Sequence, residues 1–223
     1  MSWMVIERPG VKLYKPYYQN VKRFFEIILC LSLIPLVVPL SIIIAIAIRL
    51  DSSGPIFFVQ ERVGKGGRLF KMIKFRTMHH NLSKDAHQRF MKAFVNGTAQ
   101  EQEEHKVFKP FRSHDLTVVG RILRKTSLDE LPQLINVFRG EMSLVGPRPN
   151  VVWEVEEYHG WHKERLEVLP GITGLAQVRG RSGITFDRIV ECDIEYVENQ
   201  SLKLDLQIMW WTITSVLFGK GAQ

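Results

Sequence analysis

Two carboxylates stand side by side in "RKTSLDELPQL" (residues 124–134): Asp129 and Glu130, behind the bases Arg124 and Lys125 and just ahead of Pro132. Two readings are open. The pair could simply start a helix, or it could do chemistry on a phosphate-rich substrate. Ser127 with Glu130 three residues later fits a capping box, although Pro132 would then fall past the first turn. With Asp129 as the N-cap, Pro132 stays among positions whose amides are unpaired anyway. Either way the carboxylates are expected at a helix N-terminus, where the dipole stabilises negative charge and free amides can receive phosphate oxygens. Capping uses one carboxylate and gives no reason for two.

Cations that could meet phosphate recur along the chain. "GPRPN" mounts Arg148 between Pro147 and Pro149, which fix their own φ and extend the residue before each. Such a mount suits a guanidinium gripping phosphate with two hydrogen bonds; a plain turn is the alternative. "LPGITGLAQVRGRSG" adds Arg179 and Arg181 among glycines that would let backbone approach a ligand. It is neither a Walker A sequence nor a dinucleotide fingerprint. Lys71, Lys74 and Arg76 concentrate charge in "FKMIKFRTM", either as a solvated face or toward phosphate. "ECDIEYV" offers Asp193 as a further acid.

The elements positioning these residues belong to one domain, or one plus an appendage, given 223 residues. Thirty bases against 23 acids leave a net charge of +7, which calls for an anionic partner. Nucleic acid comes first to mind, yet neither zinc-finger spacing nor a helix-turn-helix signature is present, so it is not expected. Cys30 and Cys192 form no metal or disulfide pattern, and His79, His80 and His87 read as loop residues.

The dominant segment is "FFEIILCLSLIPLVVPLSIIIAIAIRL", Phe24 to Leu50, charged only at Glu26 and Arg49. It exceeds the roughly 20 apolar residues that a helix needs to cross a bilayer. Pro35 and Pro39 interrupt its middle, and both flanks are basic, so charge gives no preferred orientation. A helix–break–helix that enters the membrane and returns satisfies both facts; a single span and a buried soluble helix are the alternatives. Ser32 or Ser41 could bond backbone near the break. Tyr14, Tyr17 and Tyr18 near the start, and Trp210 and Trp211 in Leu204–Phe218, suit a headgroup interface. The C-terminal segment fits an ordinary core helix equally well. Between them, "IFFVQ" and "LFKMIKF" around "VGKGG" read as a β-hairpin.

The fold expected is therefore α+β and mostly helical, a re-entrant membrane hairpin joined to a body with interfacial amphipathic helices and a short β-hairpin. Residues 1–21 form an N-terminal interfacial segment, 22–50 the membrane helix, 51–203 a cytosolic catalytic body, and 204–223 an interfacial helix and tail.

Taken in order, "GPIFFVQERVG", "FKMIKFRTM", "LRKTSLDELPQLINVFRGEMSLVGPRP" and "LPGITGLAQVRGR" resemble the catalytic domain of the monotopic phosphoglycosyl transferases, the bacterial sugar transferases. The resemblance runs from about Lys22 to the C-terminus. It implies transfer of a phosphosugar from a UDP-sugar to undecaprenyl phosphate, with release of UMP and Mg²⁺ as cofactor. It further implies a ping-pong course through a covalent phosphosugar on Asp129, with Glu130 completing the dyad. By the same resemblance Lys74, Arg124, Arg148 and Arg181 match basic positions of the site, with Arg179 beside them. Asp193 matches an acid near the metal, joining Asp129 and Glu130 as metal ligands. Pro39 matches the breaking proline; Val38 stands where some members have Ser, and Pro35 is an additional break. The length of the insertion before the dyad favours a hexose such as glucose or galactose. The implied setting is the cytoplasmic face of a bacterial inner membrane, with anionic lipids and a homodimer as further partners, in exopolysaccharide, capsule or O-antigen assembly. A lipid-binding protein without catalysis and a single-span glycosyltransferase are the rivals, although the latter's Asp-x-Asp is missing from the sequence.

Overall fold

A computed structural model describes residues 16–79, 92–97, 115–180 and 184–217. Expectations for Tyr14, His80, His87, Arg181 and Phe218, and for most of the polar stretch from 80 to 114, lie outside these residues.

Helix α1, Pro16–Asp51, runs without interruption through Pro35 and Pro39. No interruption of helical structure marks the expected break. The two prolines lie one turn apart, so they disturb nearly the same face and bias bending in one direction without ending the helix. Ser32 Oγ donates to the Leu29 carbonyl at 2.9 Å, bonding backbone as expected but one turn before the prolines.

Both ends of α1 are bound to the body. At the N-terminal side Lys22 donates to the Val145 carbonyl at 2.7 Å, and Glu26 accepts from the Leu144 amide at 2.8 Å and from the Ser143 hydroxyl. Arg23 donates to the carbonyls of Val137 and Phe138, the last turn of a later helix, where positive charge is favoured. At the other end Arg76 clasps the carbonyls of Ser52 and Ser53, both at 2.7 Å. The apolar middle is left bare: from Leu31 to Pro39 no residue is buried, whereas Glu26, Cys30, Ile44 and Ile48 are.

The predicted hairpin is present as β1 (Phe57–Val63) and β2 (Leu69–Phe75), antiparallel with Phe57 opposite Phe75 and Val63 opposite Leu69. Gly66 and Gly67 turn it with positive φ, 64° and 81°. Next come α2 (Val118–Thr126), a 3₁₀ turn at Leu128–Glu130 and α3 (Gln133–Arg139). Asp51 at the end of α1 accepts from the Val119 amide at 2.8 Å, fastening the first turn of α2.

A second, parallel pair joins β3 (Ser143–Val145) to β4 (Gly171–Thr173). The intervening chain holds α4 (Val152–Val155) and a 3₁₀ segment, Gly160–Glu167; α5 (Leu175–Gly180), α6 (Phe186–Glu198) and α7 (Leu202–Leu217) complete the order. The glycines of "LPGITG" allow this close pairing. A Cβ on Gly171 would lie 2.1 Å from the Gly146 amide nitrogen, and one on Gly174 would lie 2.3 Å from the Gly146 carbonyl oxygen.

Helix α7 combines features of both readings of the C-terminus. Ile208 is fully buried against Tyr196 and Val197, while Leu206, Trp210, Trp211 and Ile213 stay exposed, so one face is core and the other is bare and aromatic.

Candidate active site

The "SLDE" segment folds differently from a capping box. Ser127 closes α2 as its C-cap, with φ 56° and its amide bonded to Arg124 and Leu123 carbonyls, and its side chain caps nothing. Pro132 takes the N-cap position of α3. The carboxylates thus occupy their own 3₁₀ turn between two helices. A left-handed serine followed by a tight turn reverses the chain and points the dyad at the neighbouring strand.

That strand is β2. Lys74 Nζ lies 2.7 Å from Glu130 Oε1, and Arg148 Nη1 reaches the same oxygen at 3.3 Å. Burial alone would raise the Glu130 pKa, but Arg148 and Lys74 outweigh it and hold the carboxyl down to about 2. Asp129 is in the opposite condition. Among the described residues no hydrogen bond or ion pair holds its carboxylate, and burial pushes its pKa up, against the nearby Lys74. Two adjacent acids are therefore made unlike: one clamped and fixed as an anion, the other unclamped and costly to keep charged. An unclamped, poorly solvated carboxylate is the better nucleophile.

Each partner is itself positioned. Asn136, fully buried in α3, stitches the dyad's helix to the free edge of β2: Nδ2 donates to the Lys71 carbonyl at 2.8 Å and Oδ1 accepts from the Ile73 amide at 3.2 Å. An amide side chain here takes the place of a missing strand, and it sets Lys74 against Glu130. Sequence reasoning missed it because a neutral Asn carries no charge signal. Arg124 donates from Nε to Thr77 Oγ1 at 3.0 Å, so α2 is tied to the end of the same strand. Arg62, also unforeseen, grips the Pro149 carbonyl at 3.0 Å beside Arg148.

The remaining predicted residues separate from this group. Arg179 is paired with Glu195 at 2.5 Å on the exposed surface. Asp193 is buried and paired with buried Arg165 at 2.5 Å, and burial raises its carboxyl to about 6 despite that partner. Among the described residues no group of three acids gathers that could hold an ion, and Asp193 is paired with a guanidinium inside the core. The dyad itself does fit Mg²⁺. Lys74 and Arg148 both bind Oε1 of Glu130, and among the described residues no hydrogen bond occupies Oε2 or the Asp129 carboxylate. One or two carboxylates completed by phosphate oxygens and water is the usual environment of that ion.

The sequence pattern of the bacterial sugar transferases matches residues 17–219, and the chain belongs to that family. Its relatives include the "UDP-glucose:undecaprenyl-phosphate glucose-1-phosphate transferase" of Caulobacter vibrioides, 38% identical over 94% of this chain and 74% of that protein. The "Galactosyl transferase CpsE" of Streptococcus agalactiae is 40% identical over 96% of this chain and 46% of its own length. The "Exopolysaccharide production protein ExoY" of Sinorhizobium fredii is 38% identical over 90% of this chain and 87% of that protein. The chain thus spans about half of the first of the longer relatives and most of the shorter ones.

Proposed function

We propose that this chain transfers a sugar-1-phosphate from a UDP-sugar to undecaprenyl phosphate, with release of UMP, through a covalent phosphosugar on Asp129. The observation that carries this reading is the division of labour in the dyad: Glu130 is pinned by Lys74 and Arg148, while Asp129 is left unclamped beside the same cations. The names of the relatives support the substrates, two of them naming a sugar and one the lipid carrier.

In the first half-reaction an Asp129 oxygen attacks the phosphorus that bears the sugar. The bond from that phosphorus to the bridging oxygen breaks, UMP leaves with the electron pair, and a phosphosugar ester of Asp129 remains. In the second, a phosphate oxygen of the lipid attacks the same phosphorus and Asp129 departs as a carboxylate. The nucleophile is an oxyanion in each case, so no strong general base is required. Lys74, Arg124 and Arg148 face the negative charge on the non-bridging oxygens. Mg²⁺, held by Asp129 and Glu130, would supply further charge neutralisation at the diphosphate. Arg179, paired with Glu195, plays no part in this scheme.

Incubation of the protein with radiolabelled UDP-glucose or UDP-galactose, without lipid, should leave label on the denatured chain. Undecaprenyl phosphate should then discharge it. Turnover with no labelled chain at any time would remove the covalent course.

The bare middle of α1 is the part that meets lipid, and the reading places it as a re-entrant helix in the inner membrane, with the catalytic body on the cytoplasmic face. Support comes from the two flanks. Cys30 packs with Met72 and Val137, and Ile44 with Phe75 and Leu123, so both ends of the apolar run rest on one body. Single cysteines introduced at Gln19 and Ser53 should both react with a membrane-impermeant maleimide only after the cells are opened. Reaction of either one in intact cells would indicate a crossing helix.

A further inference from the structure

The pairing of Asp193 with Arg165 has a use that neither the dyad nor the metal accounts for. Arg165 lies in the 3₁₀ segment and is buried. Its Nη1 donates to Asn150 Oδ1 and to the Tyr158 hydroxyl, both at 2.7 Å, and its Nη2 donates to the backbone carbonyl of Arg148 at 3.1 Å. Asn150 in turn donates to Glu154 at 2.7 Å, and its carbonyl accepts from the Val63 amide at 2.9 Å. The Pro147–Arg148–Pro149 mount is therefore held from behind, at the residue that reaches Glu130 and at the residue after the second proline.

We infer that Arg165 is a positioning residue that fixes the backbone of Arg148 for phosphate contact, and that Asp193 is its buried counter-ion and not a metal ligand. This rests on the phosphoglycosyl-transfer reading above. The physical reason for Asp193 is plain: a guanidinium buried among neutral acceptors is costly unless a carboxylate accompanies it. Proline stiffness alone fixes φ at two residues but leaves the loop free to tilt as a whole. A side chain bonding both the Arg148 carbonyl and Asn150 removes that tilt, and a displacement of about 1 Å at such a site can lower a rate by about 100-fold.

Arg165→Lys keeps the charge beside Asp193 but cannot reach all four acceptors. In the full chain in detergent, it should lower kcat for UMP release by about 10- to 100-fold, with the Mg²⁺ concentration for half-maximal rate unchanged. On an Arg148→Ala background it should cost nothing more, because its effect passes through Arg148. Amide hydrogen exchange in the Arg165→Lys chain without substrate should quicken across residues 148–151 and stay as before in α1. Tyr158→Phe removes one of the four bonds with less risk to folding, and should show the same pattern with a several-fold loss.

A multiplied loss in the double variant would overturn the inference, as would unchanged exchange at residues 148–151. A raised Mg²⁺ requirement in Asp193→Asn would return that residue to the metal. If the unaltered chain released no UMP from any UDP-sugar, the transfer reading would fall, and the exchange measurement would still judge the role of Arg165.

Discussion

Asp129→Asn should abolish UMP release, by about 10⁴-fold or more, because an amide cannot form the phosphoester on which both half-reactions depend. The substitution is nearly isosteric, and among the described residues no hydrogen bond is lost with the carboxylate. Its effect on stability should run the other way. Burial raises the pKa of Asp129, so above the ordinary carboxylate range the folded state carries a charge penalty that the unfolded chain escapes. Removing that charge in the metal-free protein should raise the melting temperature, a gain in stability with a loss of activity. Glu130→Gln should behave oppositely. Its depressed pKa marks a carboxylate whose charge stabilises the fold at neutral pH, a contribution lost only as pH falls toward about 2. UMP assays and thermal melts on both variants check the contrast. A single direction of melting shift for both would show that the two acids are not differently held.

The residues that carry charge were the ones legible in the sequence. Asp129, Glu130, Lys74 and Arg148 stand out by type, and the structure brings all four within one site. The hairpin was legible as well, since glycines between two apolar runs leave few alternatives. Local patterns failed where two meanings share one spelling. Ser-x-x-Glu describes a capping box, yet here the serine ends the helix before it, because α2 stops at Thr126 and the chain must reverse within three residues. The buried partner of Asp193 was illegible for a different cause. Whether an acid faces a metal or a buried guanidinium depends on Arg165, 28 residues earlier, and no local pattern links them. Asn136 and Arg165 bond groups far from them in sequence, Asn136 the backbone of β2 and Arg165 the Arg148 carbonyl and Asn150, which leaves no periodicity to read.

Gly120→Ala shows the same lesson in energetic form, and it should be the most damaging of small substitutions outside the dyad. Helix propensity alone argues that alanine would stabilise α2 by about 1 kcal/mol. Packing argues the reverse. A Cβ at Gly120 would stand 2.0 Å from the carbonyl oxygen of Thr77 and 2.6 Å from its carbonyl carbon and Cα. Those are backbone atoms following β2, and they cannot swing aside as a flexible side chain could. Overpacking costs about 1–3 kcal/mol, occasionally more, and contact this short belongs at the upper end. The net expectation is a loss of about 2 kcal/mol, or a melting temperature lower by roughly 4–8 °C for a chain of this size. The displacement would also reach the chemistry. Thr77 accepts from Arg124 through its hydroxyl and from the Thr117 amide through its carbonyl, so driving α2 off this residue shifts Arg124 and the turn that carries Asp129. Activity below the melting transition should therefore fall more than the fraction unfolded accounts for. A variant that melts no lower than the parent would mean that α2 does not lie against Thr77 as described, and the positioning of the dyad by that contact would have to be abandoned.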